Sequence, residues 1–275
     1  MDILNLLALA VFGFVVGFVG GTVGLVLGVV RYPVELNAEP SLSLTAGTNL
    51  GVGTLGAITA TIRHYRQGNI RYRPFIILAA TGAIGAFIGS FLTGLIPAAL
   101  LPMVIGTIVS YESFSLLKGS RPNGEYRISR TTDSRRERSN DVSNTIFTRK
   151  KLIILESGIG LGVGVLGGVV GLVLGSIRMP AMITILKMEP RAAVGTNLAA
   201  ASVMGISGSL GHFVNNNIDY FVLIVMSSGA MTGGYLGAKY TNRFKESNLK
   251  HLIGLVLIVV AITMFFRVFQ FGTGY

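Results

Sequence analysis

GTVGLVLGVVRYP at positions 21–33 and GVVGLVLGSIRMP at positions 168–180 agree at nine of thirteen residues. A Gly- and Val-rich composition accounts for shared glycines. It does not account for the Arg and Pro that close both stretches at the same spacing, Arg31 with Pro33 and Arg178 with Pro180. The correspondence continues downstream. Gly47-Thr48-Asn49-Leu50 recurs as Gly195-Thr196-Asn197-Leu198 after a shift of one residue, and fifteen residues past each Asn stands a His, His64 and His212. Asn69-Ile70-Arg71-Tyr72 then matches Asn217-Ile218-Asp219-Tyr220 at three of four positions. Matches in one order and at one spacing make the chain a tandem duplication, so its fold is read as two copies of one unit.

Composition fixes what kind of unit this is. Of 275 residues, 51% are hydrophobic and 13% charged, about half the charge of an ordinary soluble domain. A soluble basic protein is excluded despite the net charge of +11. Apolar runs at 3–19, 75–96 and 252–266 reach or approach the roughly 20 residues that cross a bilayer. The reading is an all-α polytopic membrane protein. Met1-Asp2 lacks the basic start of a cleavable signal, so the first segment is expected to stay in the membrane. With 0 Cys there is no disulfide, thiol chemistry or sulfur-rich metal site. The 37 Gly suit close helix packing in lipid; runs at four-residue spacing (Gly20, Gly24, Gly28; Gly167, Gly171, Gly175; Gly229, Gly233, Gly237) predict packing faces.

Charge divides the chain. Between Lys118 and Lys151 lie ten Lys or Arg against four acids, which carries +6 of the total +11. Set between two apolar halves, this stretch reads as a cytoplasmic linker under the positive-inside rule rather than a nucleic-acid arm. The organisation is therefore a first transmembrane repeat at 1–118, a basic linker at 119–150 and a second repeat at 151–275. Eight hydrophobic segments are evident, at roughly 3–30, 41–62, 74–95, 98–117, 152–178, 191–211, 219–240 and 249–269. Equivalent loops carry opposite charge bias: Arg63, Arg66, Arg71 and Arg73 have no basic counterparts in 212–219, and the basic loop at 239–250 has none near 95–97. Inverted repeats require that pattern and an odd number of crossings per half. Breaking the first segment at Gly20-Gly21 supplies the extra crossing, followed by a discontinuous one broken around Arg31-Pro33, and likewise around Arg178-Pro180. Charges then favour ten crossings in two inverted repeats, with eight in parallel as the alternative.

Proline removes an amide hydrogen and frees a carbonyl that lipid cannot satisfy. A break at mid-depth belongs against protein or a cavity, where half-helix amino ends face an anion. Arg31 and Arg178 would add guanidinium forks suited to oxyanions. Thr48, Asn49, Thr196 and Asn197, following Gly47 and Gly195 at the next helix starts, supply hydroxyl and amide donors, although Thr and Asn there are also ordinary caps. The expected site opposes Arg31, Thr48 and Asn49 to Arg178, Thr196 and Asn197. Pro33, Pro180, Gly47 and Gly195 shape the backbone. His64 and His212 titrate near neutrality and are candidates for proton coupling, against a structural role at a helix end.

A Gly-rich segment ending in Pro, then Gly-Thr-Asn, then His followed by Asn-Ile, all present twice, resembles the sulfite exporter TauE/SafE family of membrane transporters. The resemblance covers nearly the whole chain apart from the linker. It implies export of a small sulfur-containing anion, such as sulfite or an organosulfonate, across the cytoplasmic membrane, with alternating access at the repeat interface. Arg31 and Arg178 depart from the family pattern. A passive anion channel of the same architecture is the alternative. An intramembrane enzyme would need a nucleophile with a base or a set of metal ligands, which three scattered His do not supply; no cofactor, metal or nucleic-acid partner is expected. Oligomeric state stays open.

Overall fold

The structure is a computed structural model describing residues 3–28, 30–31, 42–93, 107, 110, 114 and 138–272. Its helices are α1 (Ile3–Val23), α2 (Leu42–Arg66), α3 (Tyr72–Phe91), α4 (Arg138–Val170), α5 (Gly175–Thr184), α6 (Pro190–Val214), α7 (Tyr220–Thr241) and α8 (Glu246–Gly272). No strand occurs among the described residues. Five of these helices, α1, α3, α4, α6 and α7, are long and apolar enough to cross a membrane. Their outer faces carry large apolar side chains such as Ile154 and Ile224, 71% and 69% exposed, as lipid contact requires. Helix α4 begins inside the stretch that charge assigns to the linker. The rest of that linker, 119–137, and most of the expected crossing at 98–117 lie outside the described residues.

The helix interruptions fall upstream of the prolines. Helix α1 ends at Val23 and α4 at Val170; residues 25–27 and 172–174 are non-helical, and helix resumes at Gly28 and Gly175. Gly24 and Gly171 take left-handed φ of +77° and +70°, and Leu25 N and Leu172 N each donate to the carbonyl five residues back, Gly20 O and Gly167 O, at 2.9 Å. That is the glycine-closed helix end, and it stops each helix nine residues before the proline of its repeat. Pro180 sits inside α5, where the single bond it forgoes, to Ser176 O, is lost early in a short helix. Pro33 lies outside the described residues. The same geometry corrects two glycine readings. Gly20, Gly24 and Gly28 straddle an interruption rather than share a helix face, as do Gly167, Gly171 and Gly175. Gly47 and Gly195 lie within α2 and α6, not at their starts; a Cβ there would strike Asn217 O and Asn69 O of the opposite half. The third run behaves as expected: Cβ atoms on Gly229, Gly233 and Gly237 would meet the carbonyl oxygens of Ala10, Phe14 and Phe18.

Contact registers set helix directions. Gly13, Gly17 and Gly21 of α1 lie against Met226, Ala230 and Gly234 of α7, so these helices run the same way. Gly160, Gly164 and Gly168 of α4 lie against Leu78, Gly82 and Ala86 of α3 in the same manner. Helices α2 and α6 run oppositely: Thr61 Oγ1 bonds Ser202 Oγ at 3.0 Å, while Thr54 faces Gly205 and Leu50 faces Gly208. Thus α1 and α4, which open the two halves, pack on α7 and α3, the repeat-equivalent helices of the opposite half. The two interruptions meet inside this interlock, with Leu25, Leu172, Leu174, Met179 and Val194 all at most 2% exposed. Helix α8 closes one side through Leu249, Ile253 and Leu257, each fully buried at a four-residue interval.

Candidate anion site at the helix interruptions

Stopping two helices inside an apolar core strands carbonyl groups, and the repeated Gly-Thr-Asn and His residues answer them. Asn49 Nδ2 donates to Gly28 O and Gly171 O, both at 3.2 Å. Asn197 Nδ2 donates to Gly175 O at 3.2 Å and Gly24 O at 2.7 Å. Each amide therefore holds its own half's resuming helix and the other half's interrupted end. His64 Nε2 meets Gly21 O at 3.1 Å and His212 Nε2 meets Gly168 O at 3.0 Å, pinning the end of α2 to α1 and of α6 to α4. Gly21 O can only accept, so His64 Nε2 carries the hydrogen and Nδ1 is the acceptor that faces Asn69 Nδ2, whose two hydrogens are shared among Gln67 Oε1, Asn242 Oδ1 and His64 Nδ1. Both His64 nitrogens are thereby occupied in holding structure. His212 Nδ1 is buried without a partner.

The two arginines stand in the first turn after each interruption. Arg178 Nε donates to Asn197 Oδ1 at 3.0 Å, and Arg31 Nε and Nη2 donate to Asn49 Oδ1, both at 3.2 Å. Arg31 Nη2 also reaches Asn49 O at 3.2 Å. Arg31 is 2% exposed and Arg178 0%. Arg178 Nη1 contacts the Met204 thioether, a weak acceptor, and Arg178 Nη2 has no hydrogen-bond partner. No carboxylate of the described residues pairs with Arg178. A fully buried guanidinium with an unsatisfied nitrogen is costly unless an anion completes it.

Hydrogen bonds join Arg31 to Asn49 and Arg178 to Asn197, one pair in each half. The threonines are elsewhere. Thr48 Oγ1 accepts from Asp219 N and Thr196 Oγ1 from Arg71 N, both at 2.9 Å. Each hydroxyl caps the loop leading into a helix of the other half; Thr was read as a donor at its own helix start because the inter-half packing is invisible in sequence.

Two equivalent cavities flank the interruptions. One has a volume of about 20 Å³, between α1, α2 and the 25–27 segment, and Arg31, Gly20, Gly53 and Gly56 line it. Its counterpart has a volume of about 10 Å³ and is lined by Gly167, Leu172 and Met204, without Arg178. The repeat register pairs Gly56 with Met204 and Gly53 with Ala201, so the two cavity walls differ in sequence.

Interrupted helices meeting at a protein-lined core, each with a buried cation beside its resuming amino end, belong to a multi-pass membrane transporter. The chain belongs to the sulfite exporter TauE/SafE family, whose model matches residues 9–264. It is similar to the probable membrane transporter protein YdhB of Bacillus subtilis, 26% identical over 80% of this chain and 83% of that one. A probable membrane transporter protein of Xylella fastidiosa is 27% identical over 82% of this chain and 80% of its own length. Another, from Haemophilus influenzae, is 25% identical over 82% of each chain. No solved structure matches the chain.

Proposed function

We propose that this protein is a secondary transporter that carries a small oxyanion, sulfite or an organosulfonate, outward across the cytoplasmic membrane. The buried, partly unsatisfied guanidinium of Arg178 beside an interrupted helix, together with its counterpart Arg31, carries this reading. Guanidinium N–H groups complement the oxygens of a sulfonate or sulfite, and the helix amino ends at Gly28 and Gly175 add partial positive charge. Asn49 and Asn197 hold the arginines in place. Alternating access proceeds by movement of one inverted five-crossing repeat against the other. Supporting the inversion, α2 and α6 are repeat partners that run oppositely, and so do α1 and α4 through their parallel contacts with α7 and α3. The basic linker lies on the cytoplasmic side.

The test is radiolabelled sulfite flux into proteoliposomes, with and without a pH gradient, with sulfate, thiosulfate and taurine as competitors. Saturable, gradient-accelerated flux is expected. Arg31→Gln and Arg178→Gln each remove a charge-assisted bond of about 1.5–3 kcal/mol, which lowers apparent affinity about 10- to 100-fold. Unchanged flux in both variants overturns the arginine site. A non-saturating current that follows voltage alone overturns the carrier in favour of a channel.

A further inference from the structure

The seam between α3 and α4 differs at one end from its repeat equivalent, the seam between α7 and α1. Among the described residues, the five apolar spans, which include 152–170 of α4, contain a single acidic side chain, Glu156. It is 5% exposed, and its Oε2 is buried without a hydrogen-bond partner. Glu156 stands four residues before Gly160, on the stripe that Gly160, Gly164 and Gly168 pack against α3, and so near the end of α3 that carries Arg73. Arg73 acts on it through space without closing an ion pair with it. The repeat register puts Leu9 at the position of Glu156 and Phe221 at that of Arg73; Leu9 packs in an apolar cluster with Val222 and Met226. The other charged or titratable groups on the elements packed against α4 bond elsewhere or face outward. Arg178 of α5 bonds Asn197, Arg191 and His212 at the two ends of α6 bond Phe244 O and Gly168 O, and Tyr72 of α3 is exposed.

We propose that Glu156 is a proton-binding site, and that its proton sets how closely the two halves meet along α3 and α4. A carboxylate without a partner is costly inside a membrane protein. A metal ion would need several further ligands, and among the described residues no three acids or histidines gather to supply them. A proton is the ligand that a lone carboxyl takes. Bound, it gives a neutral side chain that the closed seam accommodates, as the other seam accommodates Leu9. Released to water, it leaves a carboxylate whose charge favours separation of α3 from α4, which admits water to it. Helix α3 belongs to the first half and α4 to the second, so this equilibrium acts on the movement that alternating access requires. The use of the proton to drive anion export rests on the carrier reading above; the proton-dependent seam does not.

The test measures distances between spin labels on cysteine pairs, which a chain with 0 Cys allows without background. Ile76 of α3 and Ile154 of α4 are exposed, and their repeat equivalents across the other seam, Ile224 and Leu7, are exposed as well. In lipid nanodiscs without substrate, the distance between labels at Ile76→Cys and Ile154→Cys is expected to lengthen as pH rises and to stay constant in Glu156→Gln. The distance between labels at Leu7→Cys and Ile224→Cys is expected to stay constant throughout. Glu156→Leu, which copies the other seam, takes the place of Glu156→Gln should that variant fail to fold. In proteoliposomes, radiolabelled sulfite flux is expected to lose its acceleration by a pH gradient in Glu156→Gln. A pH-independent distance at Ile76 and Ile154, an equal response across the other seam, a response that survives Glu156→Gln, or gradient acceleration retained by that variant overturns the proton site. No sulfite flux in the unaltered chain, with the seam still responding to pH through Glu156, overturns the substrate reading and leaves the proton site standing.

Discussion

Replacing Asn197 with Ala tests the interlock at the point where both halves depend on one side chain. The amide donates to Gly24 O and Gly175 O and accepts from Arg178 Nε, so one truncation strands two buried carbonyls and a guanidinium nitrogen. Inter-helix hydrogen bonds in membrane proteins contribute about 0.6–1.7 kcal/mol each, and a bond to a charged group about 1.5–3 kcal/mol. The sum is about 3–6 kcal/mol, at the high end for any single substitution. Reversible unfolding in mixed micelles, with denaturing detergent as the titrant, measures the difference directly. Adding Arg178→Met to the Ala variant removes the stranded cation, and the double variant is expected to regain about 1.5–3 kcal/mol. A loss below about 1 kcal/mol for Asn197→Ala, which is merely the centre of the distribution for point substitutions, would refute the role assigned to the amide. Failure of Arg178→Met to recover anything would show that the guanidinium is neutralised in some other way.

Gly171→Ala places a Cβ on a residue at φ +70° and drives it into the Ala46 backbone; a backbone cost of about 1–2 kcal/mol plus about 1–3 kcal/mol of overpacking should appear as a lowered thermal midpoint in detergent, and a midpoint within error of the parent would contradict the helix-end geometry. Thr196→Val leaves Arg71 N without the acceptor it has at 2.9 Å, for a stability loss of about 1–3 kcal/mol. Its apparent affinity for sulfite should stay at the parent value, because the hydroxyl faces the other half's loop; a drop of tenfold or more would return Thr196 to the anion site. His64→Gln is expected to keep gradient-driven flux with its pH profile unchanged, since both ring nitrogens of His64 serve the backbone and Asn69; a flattened profile would instead make His64 a proton carrier.

The duplication, the membrane class and the family were all legible in residues, because they depend on order, spacing and composition. The position of the helix interruptions was not. Proline is the visible breaker and points to Arg31-Pro33 and Arg178-Pro180, whereas the chain stops its helices at Gly24 and Gly171 by a left-handed glycine and a bond to the carbonyl five residues back. In a chain with 37 Gly, nothing local marks those two as special. What singles them out is the opposite half: a Cβ on Gly24 would lie 2.6 Å from Val194 Cα, and one on Gly171 would run into Ala46. The partners of the threonines were hidden for a related reason. Thr48 and Thr196 look like caps of their own helices, and they do cap, but across the duplication, at Asp219 N and Arg71 N.

Sequence identity between the halves and difference between them carry separate information. Among the residues that both copies retain, Gly24 with Gly171 and Asn49 with Asn197 serve the opposite half through bare backbone or a side-chain amide, while His64 and His212 tie two helices of their own half together. Interlocked halves impose this, since a change in one copy damages the seam that both share. Arg31 and Arg178 are also retained, yet their further contacts differ, because the positions facing them have diverged: Gly53 against Ala201 and Gly56 against Met204. Where the copies match, the retained residue holds the seam, so a substitution in either copy is expected to weaken both halves.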